Sequence, residues 1–132
     1  MRLKSLLLVA ALLFILPAWG QTTYTRTNPA DWNGTWIAEG TLFSIAVSVI
    51  NNEFTIKEVQ SLGFVWTAKP GRVDGNMAAV EISYAGATAK ITVELTGTDS
   101  AIASASNCMP EFMLACALTK GRQAVFRRSD NQ

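Results

Sequence analysis

Ala87-Thr88-Ala89-Lys90-Ile91-Thr92-Val93-Glu94-Leu95-Thr96 is the stretch that decides the fold. Its odd-numbered residues are all apolar and its even-numbered residues are all polar or charged. A period of two puts the two sets on opposite faces of a strand. One face then meets a core and the other meets water, as in an antiparallel sheet.

The same period recurs along the chain. Phe43, Ile45, Val47 and Val49 alternate with Ser44, Ala46 and Ser48. Phe54 and Ile56 alternate with Thr55 and Lys57; Phe64, Trp66 and Ala68 alternate with Val65, Thr67 and Lys69. Val80, Ile82 and Tyr84 alternate with Glu81 and Ser83. Ala101, Ala103 and Ala105 sit among serines in a strand from Ser100 to Asn107, and a last strand runs near Arg122 to Arg128. No segment has a convincing amphipathic helical period. Cys108 to Leu118 fits a long loop, a helical turn or a clipped strand end.

The breaks carry turn chemistry. Asn51-Asn52 suits a two-residue hairpin, because Asn tolerates positive φ. Pro70-Gly71 suits the centre of a type II turn. Asp74-Gly75-Asn76, Ala85-Gly86, Gly97-Thr98-Asp99 and Lys120-Gly121 mark further turns. Short connections pair neighbouring strands antiparallel in sequence order. The expected fold is all-β: an up-and-down meander of eight strands, or nine, closing into a barrel, with a β-sandwich as the alternative. An eight-stranded barrel is just wide enough to be filled by side chains or to hold one small ligand.

Composition narrows the function. The chain has 132 residues, Lys+Arg 11, Asp+Glu 10, a formal charge of +1 and no histidine. That length suits one domain. Without histidine there is no Ser-His-Asp set and no imidazole-based metal site. No Gly-x-Ser-x-Gly, phosphate loop or calcium loop is present. Asp74-Gly75-Asn76 lacks the further carboxylates of a calcium loop and reads as a turn. Asn33-Gly34-Thr35 fits a glycosylation acceptor in form, but it reads as the start of the first strand. No catalytic residue, metal or cofactor is expected. Basic residues are scattered apart from Arg127-Arg128, so nucleic acid is not an expected partner.

The N-terminus reads as an address. Arg2 and Lys4 precede an apolar run from Leu6 to Leu16, followed by Pro17 and Ala18-Trp19-Gly20. This order is that of a secretory signal peptide cleaved after Gly20. The run is shorter than the roughly 20 residues of a bilayer span. The expected organisation is a signal over residues 1–20, a flexible polar arm over 21–31 and a barrel over 32–129. The mature chain would be secreted or periplasmic and would not span a membrane. An outer-membrane barrel is disfavoured by Lys57, Lys69, Lys90 and Glu94 on the outward face. In an oxidising compartment the lone pair Cys108 and Cys116 is expected as a structural disulfide rather than a redox or metal pair.

The inward faces collect Phe43, Phe54, Phe64, Trp66, Tyr84 and Phe126. Such rings either fill a core or line a cavity. The small residues Ala87, Ala89, Ala101, Ala103 and Ala105 fit a cavity opposite the rings, and they equally fit the alternation of small and large side chains that fills a tapered barrel. Phe43, Phe54, Phe64, Trp66 and Tyr84 are therefore the candidate ligand-binding residues.

Asn33-Gly34-Thr35-Trp36, followed by Gly40 and Thr41-Leu42-Phe43, resembles the Gly-x-Trp opening of the calycin superfamily of lipocalins, fatty-acid-binding proteins and avidins. The resemblance implies that Trp36 closes the barrel floor and that Arg127 or Arg128 packs across it. The first three strands are also similar in rhythm to those of avidins. No tryptophan follows Trp66, so biotin binding is not carried over. A similar short exported barrel serves as a bacterial inhibitor of secreted metalloproteases, with an N-terminal arm in the protease cleft. The expected function is thus non-enzymatic binding of a small apolar molecule. The alternatives are a protein partner, as in an inhibitor-like barrel, and a structural envelope role.

Overall fold

A computed structural model describes residues 28–129. The expected signal over 1–20 and residues 21–27 of the expected arm lie outside the described residues. Within the arm, a 3-10 turn over Pro29–Trp32 precedes the first strand. The Asn28 backbone N–H donates to the Asp31 carboxylate at 2.8 Å across this turn.

Nine strand segments follow: β1 (Gly34–Ala38), β2 (Ser44–Ile50), β3 (Glu53–Gln60), β4 (Trp66–Ala68), β5 (Gly71–Asp74), β6 (Met77–Tyr84), β7 (Ala87–Leu95), β8 (Ser100–Met109) and β9 (Gln123–Arg128). A short helix α1 (Leu114–Thr119) lies between β8 and β9. All pairings are antiparallel and follow sequence order except around β4 and β5, and β9 returns to pair with β1 through Trp36↔Arg128, Ile37↔Arg127 and Ala38↔Phe126. The meander closes on itself through β6–β7 and β9–β1, which removes most of its edges; β4 pairs with β6 alone, and β3 meets β5 only at Glu53 and Phe54. The sandwich alternative is excluded by this closure.

One turn expectation is corrected. Pro70-Gly71 does not reverse the chain. Both β4 and β5 pair with β6, through Trp66↔Tyr84 and Arg72↔Ala79 respectively. They are two pieces of one strand, and the barrel has eight staves. Proline has no N–H to give a ladder, so it interrupts the strand where it stands. Gly71 follows because the β6 backbone comes close: a Cβ there would lie 2.1 Å from the Ala79 carbonyl oxygen. The expected hairpins are present elsewhere. Asn51 and Asn52 have φ of 51° and 63°, and Ala85 and Gly86 have 51° and 81°, as tight two-residue hairpins require.

The region from Cys108 to Leu118 combines the options it left open. β8 runs through Cys108 to Met109, a loop follows, and α1 carries Cys116. A disulfide joins Cys108 to Cys116. A six-residue helix is too short to hold itself in water, and here the cross-link ties it to β8. No helix among the described residues is long and apolar enough to cross a membrane. Lys57, Lys69, Lys90 and Glu94 are all exposed, as the alternation requires.

Alternation sends one set of side chains inward along every stave. Trp32, Trp36, Val47, Val49, Phe54, Val73, Ala78, Val80, Leu95 and Ala101 form one buried cluster. They lie toward the end that carries the 3-10 turn and the β2–β3, β5–β6 and β7–β8 turns, called here the floor. The opposite end, the mouth, carries the β1–β2, β3–β4 and β6–β7 connections and α1.

Candidate ligand-binding cavity

The floor is sealed by two tryptophans and one arginine. Trp32 is 2% exposed and Trp36 is 3% exposed. Trp36 Nε1 donates to the Trp32 carbonyl at 3.0 Å, and Trp32 Nε1 donates to the Gly75 carbonyl at 3.3 Å. Trp32 meets Phe54 edge to face, with centroids 5.4 Å apart. The Arg128 guanidinium stands 4.5 Å over the Trp36 ring and donates to the carbonyls of Asn33, Asp31 and Thr98. A cation over an indole face with its donors satisfied is a favourable plug. Gly34 makes room for it, since a Cβ there would fall 2.7 Å from an Arg128 nitrogen. Asn33 Oδ1 accepts the Val49 N–H at 2.7 Å, which fixes the start of β1 to β2.

Strand alternation separates the two candidate arginines. Arg128 shares the floor with Trp36, whereas Arg127 turns outward and pairs with Glu39 at 3.0 Å, both largely exposed. The closing cation is therefore Arg128.

Above the floor the barrel is hollow. A cavity of about 530 Å³ opens at the mouth, within the 300–1,000 Å³ range of small-molecule sites. At about 30 Å³ per water, it equals the volume of fewer than twenty water molecules. Phe43, Phe54, Phe64, Trp66 and Tyr84 all line it, so the structure brings the five candidates together. Phe54 is deep and 2% exposed. Phe43 and Trp66 are half-buried and tilted against each other at 6.2 Å. Phe64 and Tyr84 meet edge to face at 5.7 Å and stand at the rim, where Phe64 is 50% exposed. Phe64 precedes β4 rather than lying in it, because Leu62 and Gly63 turn with φ of 54° and 84°. That turn was not legible beforehand, since leucine seldom takes positive φ.

The alanine expectation divides. Ala101, Ala103 and Ala105 line the cavity opposite the rings. Ala87 and Ala89 are buried but do not line it. They lie at the mouth end of β7, the strand that α1 also touches.

The polar groups of the deep wall are already used. Both floor indoles donate to backbone carbonyls, and Trp66 Nε1 donates to Ser61 Oγ at 2.8 Å. No buried side-chain nitrogen or oxygen among the described residues lacks a partner. The deep wall therefore offers rings and methyl groups but no spare hydrogen bond. The alternating pattern did not single out Ile91 and Val93 of β7, or Leu118, Thr119 and Arg122 near α1, as cavity-lining residues; they line it too.

The rim is apolar as well. Leu42, Leu62, Val65, Phe112, Leu114 and Leu118 are exposed in the mouth connections, Val65 at 84% and Phe112 at 85%. No group of three or more His, Cys, Asp or Glu among the described residues could hold a metal ion.

These features define a class: a small closed antiparallel β-barrel with a plugged floor and an apolar cavity open at one end. Comparison with protein-family models, with curated proteins and with solved structures gave no match.

Proposed function

We propose that this chain is an exported, non-enzymatic binding protein that takes one small apolar molecule into its barrel. The observation that carries this reading is the cavity of about 530 Å³ with a deep wall whose polar groups are all spoken for. Such a surface gains by burying apolar ligand area, about 25 cal/mol per Å², and has nothing there with which to hold a strongly polar ligand. A calycin-like relationship is supported by Gly34-Thr35-Trp36 and by the Arg128 plug on Trp36. Export is supported by the leader-like residues 1–20 and by the use of both cysteines in a disulfide, a bond that persists in oxidising compartments.

The test has two arms. Native mass spectrometry and solvent extraction of purified protein should yield a stoichiometric small molecule, or the empty protein should take up one equivalent of a neutral apolar probe. A clean unliganded mass combined with no uptake removes the reading. A second reading, a protein partner, is favoured by the exposed apolar rim of Leu42, Val65, Phe112 and Leu114. It predicts that rim substitutions abolish partner capture while probe uptake persists.

A further inference from the structure

The exposed apolar side chains at the mouth form one connected ring. Leu42 of the β1–β2 connection and Leu62 of the β3–β4 connection border the same surface depression. The β3–β4 connection also carries Val65 and Phe64, and Phe64 meets Tyr84 edge to face at the start of the β6–β7 turn. The β8–β9 connection reaches the same turn: a Cβ on Gly86 would lie 3.1 Å from the Met113 methyl group. That connection presents Phe112, Leu114 and Leu118 to solvent. Its shape is fixed. Cys108 and Cys116 close the loop that bears Phe112, and within it the Met113 N–H donates to the Pro110 carbonyl at 3.0 Å. A preset loop carries little ordering cost into an interface, and a contiguous apolar patch marks a docking surface.

Charge decides between occupants. At the floor, Asp31, Glu53, Asp74, Glu94 and Asp99 outnumber Arg72 and Arg128. On the outer wall Lys69 pairs with Glu81 and Arg127 with Glu39, and these charges cancel. The mouth half keeps Lys57, Lys90, Lys120 and Arg122 against Glu58 and Glu111, all exposed. Among the described residues the barrel is therefore acidic at the floor and basic toward the mouth, and the apolar ring stands at the basic end. An anionic lipid surface attracts that end and repels the other, so it orients the barrel mouth-first. Residues 61–65 and Ala85-Gly86 carry no charge, so these tips enter the headgroup boundary without burying one. Long cationic side chains beside them reach back to the headgroups. The ring surrounds an opening and offers a protein a broken surface, whereas a fluid bilayer takes loop tips of any outline.

We propose that the mouth docks on an anionic lipid surface, its apolar ring in the headgroup boundary and its acidic floor turned away. The proposal goes beyond the cavity reading and holds whether or not the cavity is filled. It gives the exposed rim to lipid rather than to a protein partner.

The test is co-sedimentation of the purified full chain with vesicles of phosphatidylcholine, alone or mixed with phosphatidylglycerol. Two double variants accompany it: Val65→Ser with Phe112→Ser, and Lys57→Glu with Lys120→Glu. None of the four residues lines the cavity, and all four are exposed, so thermal melts and apolar-probe uptake should match the native protein. The native protein should bind the mixed vesicles better than the neutral ones, and added salt should weaken that binding. Each double variant should bind the mixed vesicles roughly tenfold or more weakly. The serine variant keeps every residue outside the ring, the apolar run Leu6 to Leu16 included, so it subtracts any lipid affinity that lies elsewhere. Equal binding by the native protein and the serine variant overturns the proposal, as does equal binding to neutral and anionic vesicles. No binding to either vesicle also overturns it and leaves the rim to a protein partner. Probe uptake in the same samples reports on the cavity reading separately.

Discussion

The two ends of the barrel are built from the same staves and behave oppositely. At the floor, Trp32, Trp36, Phe54 and Val80 are packed out of solvent, and every indole N–H has a protein acceptor. At the mouth, Phe64, Val65, Phe112 and Leu118 of comparable hydrophobicity stand in water. Floor side chains gain their burial from one another. Among the described residues the mouth side chains have fewer such neighbours, Phe64 on Tyr84 being one contact, so further burial for them would come from beyond these residues. On the proposed binding role, stability and function are divided along the barrel axis.

The largest effect expected from this division is at Trp36. Trp36→Ala removes the ring under Arg128 and should cost about 3–5 kcal/mol, read from urea denaturation. Phe64→Ala, at the rim, should cost less than about 1 kcal/mol while weakening probe binding. Similar losses at the two positions would erase the distinction.

Next comes the disulfide, the one strong covalent feature of the mouth. Replacing Cys108 and Cys116 together by alanine should cost about 2.5 kcal/mol for a loop of this length. Hydrogen exchange should then rise over 110–122 and stay low in the floor strands. Uniform deprotection would mean that the mouth is not an independent region.

A smaller effect separates the neighbouring arginines. Arg128→Leu leaves the carbonyls of Asn33, Asp31 and Thr98 without their donor and should cost about 2 kcal/mol. Arg127→Leu breaks only an exposed pair with Glu39 and should change stability by less than about 1 kcal/mol. Matched thermal melts of the two variants decide it, and equal shifts would contradict the assignment of Arg128 as the plug.

Parts of both ends of the barrel were legible in the sequence, for a physical reason. Strand alternation reports which side chains share a face, and it identified Phe43, Val47, Phe54 and Ile82 from period alone. Positive-φ turns at Asn51-Asn52 and Ala85-Gly86 were readable because their residue types favour that geometry. Alternation cannot say whether an inward ring meets another ring or empty space, so the cavity emerged only from the closed barrel. Pro70-Gly71 misled because a proline that interrupts a strand and one that reverses it look alike in one dimension. Arg122 went unsingled for a related reason. It precedes β9, so strand alternation does not place it, and its position beside the cavity depended on α1, whose six residues carry too short a period to read.

The central claim is that the space above the floor is a binding site. Ala103 lines that space and carries only a methyl group, so Ala103→Trp should fill it from within. The decisive measurement is a fluorescence titration of the native protein and Ala103→Trp with the neutral probe N-phenyl-1-naphthylamine, with thermal melts to show that both are folded. The account predicts one equivalent bound by the native protein and binding at least about tenfold weaker in the filled variant. No binding by the native protein, or equal affinity in the two, would contradict it.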